Sequence, residues 1–489
     1  MSLKQMLSFL FLEIFVLKTG VSFAQNTVQQ EINTFVNASV NKNAKISFEV
    51  MNIESSEIIA RYNEDSAIVS ASTTKLFSTF AALKTLGSNF KMKTRLYVDG
   101  MVDSNGTLIG NVWIRGGGDI SLGSKYFDEE FRKLGFLDKW IEVLKSAGIK
   151  KISGAIIADG SEFGYDGVPE GWDEEDTGNY YGVHAQGLNF LDNTIFLSFK
   201  TKKAGQKTTI TSIFPEIEEI NFKNEVESAN INRDRAYLFG SPYEYNRSAK
   251  GYLPANRDAF EVKGSMPDPE ITLAKMFKNK LQESGIVVDQ GALSVRLNWF
   301  LAETNYDDLT LLEEFEGASL GEIIQYTNQK SVNLFAEGLL NILGYEANKN
   351  GSNANSLKQL RIFNEAFIKS KGLELYDGSG LSEMNRISAK HFMELLHFIY
   401  KSKEFEEFYN SLPIAGESGT IKSLCEKGAG NGRIHAKSGT LKKVKSYVGF
   451  VQSKSGKLLA FAFTVNDFTC ANYQIIKYME PVLNAIAAL

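Results

Sequence analysis

The sequence predicts a mixed α/β (α+β) fold split by a long β-rich insertion, and three observations carry that reading. Near the N-terminus two alternating segments, Ile46–Val50 and Ile58–Tyr62, lead into a helical run at Leu76–Leu83. From about Phe90 to Pro267 the pattern changes to short alternating segments with glycine-rich turns. Beyond Pro267 helical periodicity returns, and the chain closes with three strand candidates and a helix. The simplest account is one host domain with an insertion whose two ends lie close together on the host surface. The expected division is a signal segment over 1–24, the first part of the host over 25–89, an insertion of one or two subdomains over 90–267, and the second part of the host over 268–489.

At 489 residues the chain is long enough for a large core in two or three domains. A net charge of −5 with no long basic block argues against nucleic acid as a partner. Lys4, the apolar runs Leu7–Leu12 and Ile14–Leu17, and the small-x-small triplet Ser22-Phe23-Ala24 before Gln25 have the form of an export signal, interrupted by Glu13 and Lys18. They point to an exported, periplasmic protein. No later stretch is long and apolar enough to span a membrane, so membrane contact is at most peripheral. Cys425 and Cys470 either pair or stand as ordinary buried thiols. His184, His391, His397 and His435 show no metal-ligand spacing, and no metal or organic cofactor is expected.

In chain order, Thr27–Val36 has the spacing of a short amphipathic helix, and Ile46–Val50 with Ile58–Tyr62 forms a hairpin. Lys93–Val98, Leu108–Ile114 and Ile152–Ala158 are strand candidates, with a helix over Phe131–Ala147 ending at Gly148. Arg115-Gly116-Gly117-Gly118-Asp119 lacks phosphate-loop spacing and is expected to be a plain turn. The acidic, aromatic stretch between Tyr165 and Asn189 is expected to be a solvated loop. Thr194–Ser198, Thr208–Ile213 and Phe260–Ser265 are further strands, and Ile220–Leu253 is polar with weak alternation. Helices follow at Glu270–Ser284, Leu320–Thr327, Leu334–Leu343, Asn355–Lys369 and Ala389–Tyr400. Strands at Ile434–Leu441, Ser446–Gln452 and Leu458–Val465 precede a helix over Tyr473–Ala488 that Glu480-Pro481 interrupts.

The chemistry centres on Ser72-Thr73-Thr74-Lys75. Residues three apart on a helix share a face, so the Lys75 amine can reach the Ser72 hydroxyl. A buried amine has a lowered pKa and can take the proton as the serine attacks. By itself Ser72 also reads as a helix N-cap. Ser-x-x-Lys recurs at Ser39 and Ser88, but only the Ser72 copy lies between an apolar run and a buried-looking helix. Ser331-Val332-Asn333 lies between two helices, and Lys437-Ser438-Gly439-Thr440 lies on a strand candidate. Ser-x-Asn also occurs at Ser39 and Ser228, and Lys-Ser/Thr-Gly at Lys18 and Lys454, the latter in a hairpin turn. Individually Ser331 could cap a helix, Asn333 could bond to backbone, and Lys437 could be solvated.

The ordered triplet Ser-x-x-Lys, Ser-x-Asn, Lys-Ser/Thr-Gly resembles the signature of penicillin-binding proteins and serine β-lactamases. The long gap between Ser72 and Ser331 resembles the class C branch, the type-4 D-alanyl-D-alanine carboxypeptidase/endopeptidases, which carry extra domains after the nucleophile helix. Ile114–Asp119, Ser331–Glu337, Asp377–Ser382 and Ile434–Thr440 are similar to that family too. The family usually has aspartate where Val332 stands, and Ser438 keeps the hydroxyl of the usual threonine. The resemblance implies a split transpeptidase-like domain that cleaves peptidoglycan stem peptides through an acyl-enzyme and is inhibited by β-lactam antibiotics such as penicillin. It implies Ser72 as nucleophile, Lys75 as base, Ser331 as proton relay, Lys437 holding Ser331 and helping to position the substrate carboxylate, and Asn333 binding the substrate amide and orienting Lys75. Ser438 would bind the terminal carboxylate, and the backbone N–H groups of Ser72 and Thr440 would form the oxyanion hole, with Gly439 between them on the substrate-binding strand. Asp377-Gly378-Ser379-Gly380 is expected to be a structural turn beneath the site. Two other readings share these motifs: a β-lactamase or esterase on the same fold, and a penicillin-binding sensor or scaffold that acylates without turnover.

Overall fold

The computed structural model describes residues 27–489, so the expected export signal lies outside the described residues. Both ends of the described chain meet in one five-stranded antiparallel sheet. Its order is Ile434–Leu441, Val444–Gln452, Leu458–Asn466, Lys45–Asn52, Ile58–Tyr62. Lys45–Asn52 is buried along nearly its whole length because both faces of the sheet are covered. On one face the helix over 27–36 (Val28, Ile32, Phe35) and the last helix, Asn472–Ala488, close over Phe48, Phe461 and Phe463. That last helix runs on through Pro481, contrary to expectation; one missing N–H is tolerated because Val482, Leu483 and Ile486 remain buried against the sheet.

The other face carries the helical layer, whose central member is Lys75–Leu86. It is buried over Lys75–Leu83, the pattern of a core helix rather than an amphipathic surface one. Phe80 packs edge-on against Phe363, Phe398 and Phe408. Around it stand Leu320–Lys330, Asn333–Asn348, Asn353–Glu365, Ala389–Tyr400 and Phe405–Ser411.

Between these parts lies the insertion. A five-stranded mixed sheet has the order Ala292–Ser294, Ile156–Asp159, Val112–Gly117, Lys91–Val98, Thr310–Ser319. A small four-stranded sheet and two three-stranded sheets complete it. One of the latter, Asn221–Ala229, Asn246–Pro254 and Arg235–Phe239, fills the region that looked polar and only weakly alternating. The sheets do not stop at Pro267. The helix Pro269–Glu283 packs its Leu273, Ala274 and Phe277 into the insertion core, and Thr310–Ser319 pairs with Lys91–Val98. We therefore propose that the insertion spans 91–319 and rejoins the host at Leu320. On that division the Glu270 helix, whose texture is that of the host helices, goes with the insertion.

Two expected strands are each broken in two. Leu108–Ile114 is Thr107–Ile109 and Val112–Gly117, and Ile152–Ala158 is Lys151–Ile152 and Ile156–Asp159, the pieces belonging to different sheets. The breaks coincide with a backbone crossing in which a Cβ on Gly154 would lie 2.3 Å from the Gly110 carbonyl oxygen. Gly116-Gly117 is likewise strand rather than turn; a Cβ at Gly116 would lie 2.2 Å from the Gly187 oxygen.

The insertion core is built around Trp140, fully buried against Phe136, Phe277 and Phe315. Trp140→Ala is expected to cost about 3–5 kcal/mol. Thermal unfolding followed by tryptophan fluorescence or calorimetry should show a midpoint lowered by several degrees. An unchanged midpoint would mean that this core does not limit stability.

Candidate active site

Ser70–Lys75 forms a hydroxyl-rich turn before it becomes a helix. Ala71–Thr74 is one 3₁₀ turn that runs straight into Lys75–Leu86. Thr73 and Thr74 donate their hydroxyls to the carbonyls of Ser70 (2.8 Å) and Ala71 (2.9 Å), which fixes the turn. Ala71 adopts a left-handed φ of 52°, a strained value for a residue with a Cβ. A Cβ on Gly380 would lie 2.0 Å from the Ala71 oxygen, so only glycine lets that loop approach the turn.

The Lys75 amine is fully buried and uses all three of its hydrogens. It donates to Ser72 Oγ at 3.1 Å, Asn333 Oδ1 at 2.6 Å and the Ser379 carbonyl at 2.7 Å. Burial lowers its pKa to about 7, against the opposing pull of Asp377 and Glu337. Those two carboxylates form the floor. Glu337 accepts from the N–H groups of Gly378 (3.1 Å) and Ser379 (2.7 Å). Burial, and next the Asp377 charge, push Glu337 up to about 8. Asp377 accepts from Ser379 Oγ, Gly380 N, Ser382 N, Asn385 Nδ2 and the Trp172 indole N–H. The Asp377–Gly380 turn is therefore structural, as expected, and its Ser379 carbonyl is a direct ligand of the Lys75 amine.

Ser331 ends the helix Leu320–Lys330 in a left-handed conformation (φ 59°), which aims its side chain sideways. The buried Lys437 amine donates to Ser331 Oγ and to the Ser438 carbonyl, both at 2.9 Å. Burial, with the nearby positive charges of Lys75 and Lys445, holds Lys437 well below the usual lysine range. Asn333 opens the next helix, with its oxygen on Lys75 and its amide nitrogen on the Tyr181 carbonyl at 2.7 Å.

Lys437, Ser438, Gly439 and Thr440 lie on Ile434–Leu441, which forms one edge of the host sheet. Gly439 lies against the nucleophile turn: a Cβ there would be 2.5 Å from the Ser70 oxygen and 3.0 Å from the Ser72 nitrogen. The Ala436 N–H turns off the sheet edge to the Pro413 carbonyl. By the two-residue period of a strand, the Thr440 N–H turns to the same open side.

A cavity of about 690 Å³ joins these groups. Ser72, Ser331, Asn333 and Thr440 line it from the host; Lys125, Asp176, Tyr180, Tyr181 and Asp192 line it from the insertion. All eight expected site residues thus gather around the Ser72 turn or on the adjacent edge strand. The insertion's share was missed. The acidic loop is not simply solvated: Trp172 is 8% exposed and tied to Asp377, and Tyr181 is tied to Asn333. Trp172 among acids was the available signal; Tyr181 acts through its backbone, which no side-chain pattern reveals. Glu337 stood inside a family-like stretch with no role assigned, and Lys445 went unnoticed.

Among the described residues no cluster of His, Cys, Asp and Glu is disposed to hold a metal ion, and Cys425 and Cys470 are both free thiols.

Comparison with known proteins follows the same lines. The chain is 25% identical over 485 residues to the D-alanyl-D-alanine carboxypeptidase DacB of Haemophilus influenzae, covering 92% of each chain. It is 25% identical over 418 residues to a D-alanyl-D-alanine carboxypeptidase of Actinomadura, covering 82% of this chain and 73% of that one. The fold matches the crystal structure of penicillin-binding protein 4 from Haemophilus influenzae with a TM-score of 0.79 at 22% identity, over 95% of this chain and 99% of that one. The sequence profile of the D-Ala-D-Ala carboxypeptidase 3 (S13) family matches residues 28–484, and the chain belongs to that family of serine peptidases.

Proposed function

We propose that this protein is a serine D-Ala-D-Ala carboxypeptidase and DD-endopeptidase that cleaves peptidoglycan stem peptides through an acyl-enzyme on Ser72, and that β-lactams acylate the same serine. The observation that carries this reading is the buried Lys75 amine, poised near neutrality 3.1 Å from Ser72 Oγ. Family membership and the names of the two carboxypeptidase relatives support the substrate class. The N-terminal sequence supports export to the periplasm.

In this mechanism Ser72 Oγ attacks the carbonyl of the penultimate D-alanine while its proton passes to Lys75. The N–H groups of Ser72 and Thr440 receive the developing oxyanion; losing one such donor costs about 2.7–4 kcal/mol. Ser331 relays to the departing amine the proton that Lys75 took from Ser72, regaining its own hydrogen from Lys75, and is held for this by Lys437. Asn333 fixes Lys75 through its oxygen, and its second amide hydrogen is free to meet the substrate carbonyl, because Tyr181 takes only one. Ser438 receives the terminal carboxylate, and water then releases the acyl group and restores Ser72.

Two measurements test this. Ser72→Ala should lose covalent labelling by a fluorescent penicillin and lower cleavage of a cross-linked muropeptide at least about 10³-fold. Wild-type labelling without cleavage would favour the sensor reading, and rapid turnover of the penicillin would favour a β-lactamase. The second is the pH profile of acylation. Only the neutral amine accepts a proton, so the acylation rate should rise as pH rises through about 7 and level off above it. A rate that falls across that range would exclude Lys75 as the base.

A further inference from the structure

Lys445 is a third lysine beside the site, and it has no role in the mechanism above. It lies on Val444–Gln452, in register with Thr440 on the edge strand, while Ser438 pairs with Tyr447. Paired residues and alternate residues share a face, so Ser438, Thr440, Lys445 and Tyr447 all project to one side of the sheet. Lys445 is 6% exposed. Its amine donates to Thr440 Oγ1 at 2.8 Å and lies 4.7 Å from the centre of the Tyr447 ring. Among the described residues no carboxylate is ion-paired with it, and one hydrogen bond leaves two of its three hydrogens unused. A buried cation without a countercharge is costly, so a chain that keeps one there gains something when an anion arrives.

The surroundings describe that anion. Ser438 Oγ donates to Thr420 Oγ1 at 2.8 Å, so the hydroxyls of Ser438, Thr420 and Thr440 lie with the Lys445 ammonium and, among the described residues, no carboxylate is bonded to any of them. Lys437 is the less free of the two amines, because two of its three hydrogens are already on Ser331 and the Ser438 carbonyl. In the proposed carboxypeptidase reaction the leaving group is a D-amino acid with a free α-carboxylate.

We infer that Lys445 is a positioning residue that holds the free carboxylate of the leaving D-amino acid together with Ser438, an inference that rests on the serine acyl-enzyme reading above. It sets the substrate in register along the edge strand and discriminates acids from neutral analogues. The charged and titratable groups around it are Lys437 on the edge strand and Tyr447 on its own, with Cys425 and Glu480 acting on that tyrosine from beyond it; its partner on Leu458–Asn466 is the apolar Val465. Burial alone lowers the Lys445 pKa, to about 8, so the ammonium form prevails at neutral pH.

The test compares second-order acylation by benzylpenicillin with acylation by its methyl ester, which lacks the negative charge. In Lys445→Met the acid should react about 10- to 100-fold more slowly, the range for losing one hydrogen bond to a charged group, with the ester changed less than about 2-fold. Lys445→Arg should restore most of the acid rate. In the wild-type protein the acid-to-ester ratio should fall as pH rises through about 8, a readout that needs no variant. Equal losses for acid and ester, or an acid rate that Lys445→Met leaves unchanged, would overturn the assignment. A wild-type protein that reacts with neither compound would instead overturn the acyl-enzyme reading, and this inference with it.

Discussion

A primary amine that is fully buried yet close to neutrality is the constraint on which the rest of the structure depends. Moving an ammonium out of water costs several kcal/mol after relaxation, and an unsupported lysine would simply lose its proton. Here the cost is offset by three acceptors at hydrogen-bond distance and by two carboxylates beneath them. Each acceptor comes from a different part of the chain: Ser72 from the turn before the helix, Asn333 from a helix start, Ser379 from a loop. That loop is itself held by Asp377 and Glu337. The amine therefore reports whether three separate segments have assembled correctly. An amine that can stand unprotonated near neutral pH only when the site is complete is well suited to activate a nucleophile.

The host sheet supplies the second half of the arrangement. Placing Ile434–Leu441 at its edge leaves one row of backbone groups free for a substrate, in the way an added strand would use them. Exposed edges invite aggregation, and the insertion with the neighbouring loops narrows access to this one. Pro413 and Ile414 close the first part of the edge by pairing with Ala436 and His435, so the open part is confined to the residues next to Ser72.

What the sequence made legible followed local rules. Helices with strong periodicity, such as Ala389–Tyr400, and alternating strands, such as Ile434–Leu441, coincide with their expected limits. The three short motifs carried the site because each side chain acts from where its own segment puts it. What failed was non-local. The breaks at Gly110 and Gly154 arise from two backbones crossing, which is invisible within either segment. The helix Pro269–Glu283 has the texture of a host helix and is assigned to the insertion only by what it touches. Tyr181 contributes a carbonyl, and Trp172 contributes one indole N–H delivered from the insertion to Asp377 in the host. No pattern of residue types encodes either contact.

The charge distribution around the cleft follows a consistent electrical logic. Lys75, Lys437 and Lys445 are all buried and all displaced downward, and Lys437 is depressed further by its two lysine neighbours. The acids that compensate, Asp377 and Glu337, act on Lys75 from below; neither is among the groups that shift Lys437 or Lys445. Along the edge strand, then, the positive charge is uncompensated within the protein. A substrate with a negative charge one residue beyond its scissile bond supplies the missing countercharge, and binding it favours the protonated form of the lysines nearest to it. Lys75 is the exception that the proposed reaction needs, because its own acids and acceptors set its proton affinity apart from that of Lys437 and Lys445. The fold thus sets Lys75 apart from Lys437 and Lys445, and the difference lies in which of them stands over Asp377 and Glu337.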